Sequence, residues 1–427
     1  MSSVPNVRDR RATSLIFLCW MAYAASYVGK LSYNANISQF EANLGISHAD
    51  AGMVSTFFFF AYGAGQVVNG ILCKRYPIKP LIFSALAVAS CMNVLVVLVP
   101  SFSAIKFIWL VNGIAMSFLW TSLIRLLSET LNKKDIPRAV FLMGTTVATG
   151  TFVVYGLSAI FAAADAYRTT FYIAAALMMG AAVVWLIFFD RFVTPLRAER
   201  KAEKAERTAA LPTDTAERRS GRIKKVALFF AVIFSFAVAN NFVKDGLTAW
   251  TPSMLSKLYA TPGWLSILLT LLLPILGIAG AGVALRLRRR VVSFVATCTI
   301  FFSGSALLVL AVILLLPTGM VAVTVACFGI ISCMMAGVNN VITSMIPLHM
   351  KDNFNSGRMA GIINGFCYLG STLSTYGLGL IADHFDWIAV FYVLLAVAAT
   401  VSVFGTAFIS ISYLKNRKKE KEERIIL

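Results

Sequence analysis

The chain has 427 residues, of which 59% are hydrophobic and 13% charged, with a mean hydropathy of +0.78. Soluble domains carry roughly a quarter charged residues, so these values exclude a water-soluble fold. A formal net charge of +19 would suit a nucleic-acid partner, but the placement of the basic residues argues against one.

A membrane span needs about twenty apolar residues. Twelve spans are predicted, at residues 13–39, 50–73, 80–100, 103–131, 138–163, 169–190, 225–256, 262–285, 291–316, 318–346, 357–383 and 387–413. With the N-terminus inside, 32 of the 38 Lys and Arg fall in inner segments. The outer loops hold Lys106, Arg168 and Lys257, and only Lys30, Arg125 and Lys244 lie within spans. Basic residues concentrate on the cytoplasmic side, so the expected topology is a multi-pass protein of the cell membrane with both termini cytoplasmic. The first apolar run is too long for a signal-peptide core and lacks a small-residue cleavage site, so it reads as a permanent span.

Residues 191–225, including RAERKAEKAERTAALPTDTAERRSGR, form the long polar stretch between two sets of six spans. The expected division is 1–190 and 225–414 as six-helix bundles, 191–224 as a partly helical cytoplasmic linker, and 415–427 (KNRKKEKEERIIL) as a charged tail. The halves repeat weakly. TFVVYGL (151–157) matches TLSTYGL (372–378), PRAVF (137–141) corresponds to GRMAG (357–361), and AYRTTFY (166–172) corresponds to DWIAVFY (386–392), at offsets of 220 or 221. Lys30 and Lys244 are 214 apart. An all-α membrane protein of 12 spans in two pseudo-symmetric halves resembles the major facilitator layout, whose substrate site lies near the midplane between the halves. Gly63, Gly65, Gly144, Gly150, Gly277, Gly280, Gly282, Gly361, Gly365 and Gly370 suit close packing of membrane helices.

No catalytic constellation is present. His48, His349 and His384 fall at loops or span ends, and HExxH, GxSxG and P-loop patterns are absent. Cysteines 19, 73, 91, 298, 327, 333 and 367 lack metal or CxxC spacing and read mostly as small buried hydrophobes. Neither a metal nor a cofactor is implied, and the expected unit is a monomer in the bilayer.

The informative residues are polar ones inside spans, because a charge at membrane depth costs several kcal/mol and marks function. Tyr23, Tyr27 and Lys30 recur at i, i+4 and i+7, on one helical face. Two phenols and an ammonium suit an oxyanion, although a lysine there can also snorkel to the interface. Lys244 follows Asn240 and Asn241 and precedes Asp245, which offers either a substrate contact or an internal ion pair. Tyr62 and Gln66 lie one turn apart. Trp120, Thr145, Thr146, Asn339, Asn340, Asn364 and Tyr368 are further candidates, each equally suited to helix–helix hydrogen bonding. Arg125 and Glu129, at i and i+4, read as a structural ion pair at an inner membrane edge.

These segments resemble the organophosphate–phosphate antiporter family of the major facilitator superfamily. In YAASYVGKLSYN (23–34), Lys30 falls where that family has its first substrate-binding arginine, and Tyr23 and Tyr27 match site tyrosines. Lys244 falls on the second basic residue, before GLTAWTPSML, which is similar to the family's GxxxWxPxxL pattern. AYGAGQVVNG resembles the second span, with Tyr62 at a site tyrosine and Gln66 replacing a lysine. SGRMAGIINGFCYLGS (356–371) resembles the eleventh, with Tyr368 at a site tyrosine. The chain departs from the pattern in using two lysines, which lack the bidentate fork of arginine. It also has Thr145 near a fifth-span histidine position, and Lys74 where the superfamily places an acidic residue.

The implied function is exchange of a small organic anion, a phosphate ester first, for inorganic phosphate by alternating access. Lys30, Lys244, Tyr23, Tyr27, Tyr62, Gln66, Trp120, Thr145 and Tyr368 are the expected substrate-binding residues. Two alternatives stand beside it. One is a proton-coupled symporter of carboxylates such as hexuronates, with Asp245 titrating. The other is a non-transporting sugar-phosphate sensor that signals through residues 191–225 and the tail.

Overall fold

The computed structural model describes residues 7–72, 76–132, 134–208, 223–291, 293–350 and 356–425, and these are helical with short connections and no strand. In chain order the helices are α1 (Val7–Ala35), α2 (Ile37–Leu44), α3 (His48–Leu72), α4 (Ile78–Leu98), α5 (Phe102–Ser117), α6 (Leu119–Thr130), α7 (Ile136–Ala163) and α8 (Arg168–Thr208). Then follow α9 (Ile223–Tyr259), α10 (Gly263–Thr270), α11 (Leu272–Arg290), α12 (Phe294–Leu315), α13 (Val321–Asn340), α14 (Ile346–His349), α15 (Ser356–His384) and α16 (Trp387–Ile425). Cys73 and Lys74 lie outside the described residues, as does 209–222 of the expected linker.

Among the described residues, eleven stretches are long and apolar enough to cross a membrane. Apart from the short α2 and α14, the described helix outside that group is α15, which is 29 residues long. Its sequence, SGRMAGIINGFCYLGSTLSTYGLGLIADH, is diluted by glycine, serine and threonine. With α15 counted, the helical runs match the twelve predicted spans in order. Several runs are broken, for local reasons. Phe118 separates α5 from α6, and Asn69 Nδ2 of α3 donates to its carbonyl at 3.2 Å. Leu271 separates α10 from α11 just before Pro274, which has no N–H to continue the ladder. Between α13 and α14, Val341–Met345 form a π-helical turn closed by Ile346 N–H to Val341 O, immediately ahead of Pro347.

The chain divides into two compact units. The described residues of Met1–Ile46, Met53–Arg219 and Pro262–Leu271 form the first, and those of Ser47–Gly52, Ser220–Thr261 and Leu272–Leu427 the second. In the first, α1 packs on α7 and α8, and α4 on α8 and α5. Its core includes Val28, Ala35, Val154, Tyr155, Ala159 and Ala174. In the second, α9 packs on α15, α11 on α13, and α12 on α13 and α16.

Beyond the predicted sixth span, the linker expected to be partly helical begins as helix. α8 continues to Thr208 through RAERKAEKAERT, a run of strong helix formers. Charges fix this extension to the end of the first unit where α1 begins and α6 stops. Glu199 pairs with Arg8 at 3.2 Å and Arg11 at 3.6 Å. Glu129 joins Arg125 at 2.6 Å to Arg197 at 3.1 Å, and Arg200 donates to the Ser128 and Leu131 carbonyls at the end of α6. The expected Arg125–Glu129 pair is therefore present and shared with a second arginine.

Candidate functional site

Two polar clusters, one in each unit, gather most of the residues singled out from the sequence. Each is set by a helix crossing on a glycine. In the first unit, a Cβ on Gly150 of α7 would strike Tyr27 Cβ and lie 2.7 Å from the Ala24 carbonyl of α1. The missing side chain lets α7 lie directly against α1 beside Tyr27. In the second unit, a Cβ on Gly370 of α15 would collide with the Val238 carbonyl of α9 and sit 3.0 Å from Phe242 N. Gly150 and Gly370 are 220 positions apart, the offset of the sequence repeat, so the same crossing recurs in both halves.

Lys30 is only 5% exposed. Its Nζ lies 4.1 Å from the Tyr62 ring centroid and 4.9 Å from that of Tyr27, with Phe59 and Phe58 at 5.9 and 6.0 Å. An ammonium over aromatic faces is attracted by the ring quadrupole, so the side chain turns inward to rings of α1 and α3 and does not snorkel. Tyr62 stacks on Phe58 at 5.8 Å and 18°. Tyr23 meets Tyr27 edge-on at 5.3 Å and the Trp120 ring at 4.8 Å. Tyr23, Tyr27, Tyr62, Trp120 and Lys30 thus form one aromatic and cationic surface. Gln66 is buried one turn beyond Tyr62. Thr145 serves a different contact: it accepts from Trp20 Nε1 at 2.9 Å and donates to the Leu142 carbonyl at 2.8 Å. Thr146 likewise donates to the Met143 carbonyl, at 2.5 Å.

In the second unit, Lys244 Nζ lies 3.3 Å from Asp245 Oδ1. Neighbouring helix positions diverge by about 100°, but the long lysine stem spans the gap. Asp245 Oδ2 accepts from Ser371 Oγ at 2.5 Å and Asn241 Nδ2 at 3.0 Å. Asn241 Nδ2 also reaches Ser371 Oγ at 3.1 Å, and Asn240 Nδ2 donates to Asn241 Oδ1 at 3.0 Å. Tyr368 is half-buried on α15, three residues before Ser371, and its carbonyl accepts from Thr372 Oγ1 at 2.8 Å. Asn364 lies one turn earlier. Asn339 and Asn340 close α13, where the Asn339 carbonyl accepts from Thr343 Oγ1 at 2.7 Å.

Sequence reasoning missed Ser371, Phe58, Phe59 and Trp20. Phe58 and Phe59 stand four and three residues before Tyr62, so a face count along FFFFAY would have found them. Ser371 gives no signal of its own, because only the α9–α15 crossing brings it to Asp245. The described cysteines are unpaired. Cys19, Cys298, Cys327 and Cys367 are buried, Cys333 is half-buried and Cys91 is exposed.

The sequence profile of the Major Facilitator Superfamily matches residues 19–375. The membrane sensor protein UhpC of Escherichia coli K12 is 22% identical over 404 residues, covering 91% of this chain and 90% of its own. UhpC of Salmonella typhimurium LT2 is 25% identical over 104 residues, or 24% of each chain. Among solved structures, a bacterial homolog of the human lysosomal transporter Spinster, inward-facing and occupied, superposes with a TM-score of 0.73 at 11% identity, covering 94% of this chain and 97% of its own. The nucleoside transporter NupG gives 0.68 at 14% identity, covering 93% and 99%. At such identities these structures share the fold alone. With its profile match spanning most of the sequence and its helices following that fold, the chain is a multi-pass membrane protein that belongs to the Major Facilitator Superfamily.

Proposed function

We propose that the protein exchanges a small organic anion, a phosphate ester first, for inorganic phosphate by alternating access. The observation that carries this reading is the buried Lys30 ammonium, held under the Tyr27 and Tyr62 rings at membrane depth. A cation kept in such a place has a functional reason. Lys244 is its counterpart on the first helix of the second half. In this reading each lysine supplies positive charge to the anion, lysine being a compact three-donor partner for phosphate. Tyr23, Tyr27, Tyr62, Gln66, Trp120 and Tyr368 shape the surroundings and donate hydrogen bonds. The chain sits in the cell membrane with both termini cytoplasmic, as the distribution of Lys and Arg supports.

The test is counterflow in proteoliposomes loaded with phosphate, against a panel of phosphate esters and carboxylates. Exchange of at least one phosphate ester is expected, lost in both Lys30→Ala and Lys244→Ala. The reading fails if no anion exchanges, or if either variant still exchanges. Labelling that places residues 191–225 outside would overturn the orientation.

A second reading has one observation in its favour: the relative aligned over 91% of the chain is a membrane sensor protein. A sensor would bind a phosphate ester and show ligand-induced thermal stabilisation with no flux in the same preparation.

A further inference from the structure

We infer that Asp245 is a fixed internal counter-charge that weakens anion binding at Lys244 and so speeds anion release, and that Ser371 and Asn241 are the positioning residues that fix it. This rests on the reading that Lys244 contacts the transported anion.

The two oxygens of Asp245 have different tasks. Oδ2 accepts from Ser371 Oγ on the facing helix at 2.5 Å and from Asn241 Nδ2 one turn back at 3.0 Å. Oδ1 faces Lys244 Nζ at 3.3 Å. Ser371 and Asn241 are both buried, and Asn241 Oδ1 is itself held by Asn240 Nδ2 at 3.0 Å. Ser371 cannot retreat, because its neighbour Gly370 seats α15 directly on the α9 backbone. The carboxylate is therefore tied across a helix crossing that has no slack. Lys244 is held differently. Its side chain is 28% exposed against 17% for Asp245, and it is joined to its neighbour through one oxygen at ion-pair distance. In this pair the lysine is the member able to turn toward an incoming anion.

An anion binding Lys244 then does so with a carboxylate held close behind the ammonium. Two like charges near one cation oppose each other, and this repulsion fades slowly with distance where water is scarce. A carrier that must release one anion before loading the next gains turnover from that opposition. Tighter ground-state binding would lower the half-saturation concentration and slow release.

The experiment measures phosphate homo-exchange in proteoliposomes, with half-saturation and maximal rate determined separately. Asp245→Asn removes the counter-charge. Half-saturation is expected to fall by roughly five- to tenfold, with the maximal rate falling too. Ser371→Ala keeps the charge but frees one side of it. The loosened carboxylate can then follow Lys244 and compete better, so half-saturation is expected to rise. Asp245→Glu, which restores the charge, should return half-saturation toward the unaltered value. These opposite signs are what a merely structural role would not produce. The inference is overturned if Asp245→Asn leaves half-saturation unchanged or raises it. Should that variant not insert, a Ser371→Ala half-saturation that is unchanged or lower overturns it instead. Its failure stays separable from that of the parent reading: loss of the parent shows as no exchange in the unaltered carrier, or as exchange that survives Lys244→Ala.

Discussion

The Lys30 ammonium rests 4.1 Å from the centroid of the Tyr62 ring, so a residue of α3 holds the charge carried by α1. Cation–π contacts contribute about 0.5–2 kcal/mol, the larger values where the cation is desolvated. Tyr62→Phe keeps the ring and loses only the hydroxyl donor, so it should raise the half-saturation for phosphate exchange by about two- to threefold. Tyr62→Leu removes the quadrupole and should raise it by roughly tenfold, the scale of about 1.4 kcal/mol. Equal effects of the two substitutions would mean that the ring face does not matter to Lys30.

The glycines separate into those that set a crossing and those that do not. A Cβ on Gly370 meets the α9 backbone at Val238, and one on Gly280 of α11 meets the Cys333 carbonyl and lies 2.9 Å from Gly337 N. Backbone cannot swing aside as a side chain can, so Gly370→Ala and Gly280→Ala should each destabilise by about 1–3 kcal/mol. At Gly144 and Gly361 nothing lies within 4 Å of where a Cβ would stand. Alanine there should leave the melting temperature in detergent within a degree or so of the unaltered protein, as surface substitutions generally do. A common response at all four positions would show that these crossings do not control packing.

Glu129 holds Arg125 and Arg197 together beside the end of α6, with side chains 21–43% exposed. Exposed pairs contribute about 1 kcal/mol or less and are screened by salt. Glu129→Gln should therefore lower the melting temperature slightly in dilute buffer, with the difference shrinking at high ionic strength. A loss that does not depend on salt would assign Glu129 a packing role.

Trp20 and Thr145 share a 2.9 Å hydrogen bond between α1 and α7. Trp20→Phe and Thr145→Val each remove it, so their stability effects should be non-additive, with a coupling of about 0.6 kcal/mol, the average for such bonds in membranes. Strict additivity in the double-mutant cycle would show that the bond contributes nothing.

The order of the spans is legible in the sequence because a span is a bulk property: twenty apolar residues announce themselves whatever they touch. The lysines are legible for the same reason, each being a charge in an apolar run. What lies out of reach depends on geometry between side chains and helices. Lys244 and Asp245 are adjacent, so a face count sets them apart, yet the lysine stem closes the distance to 3.3 Å. Thr145 reads equally as a binding residue, from its place near a fifth-span histidine position, or as a helix–helix contact, and only the structure shows that its hydroxyl accepts from Trp20. The linker reads as partly helical, but its polar composition does not show how far the helix runs. Helix propensity and the Glu199 ion pairs carry α8 on to Thr208.

The π-helical turn at Val341–Met345 changes how the tenth span must be counted. Its closing bond, from Ile346 back to Val341, takes in one residue more than an α-helical turn. Everything after it is rotated by about 100° relative to an unbroken helix. Asn339 and Asn340, before the turn, and Pro347, after it, therefore cannot be placed on a single helical wheel. A relative with a regular tenth helix would align to this chain only with a one-residue gap here, and a substitution series carried across that gap without it would point each side chain at the wrong neighbour.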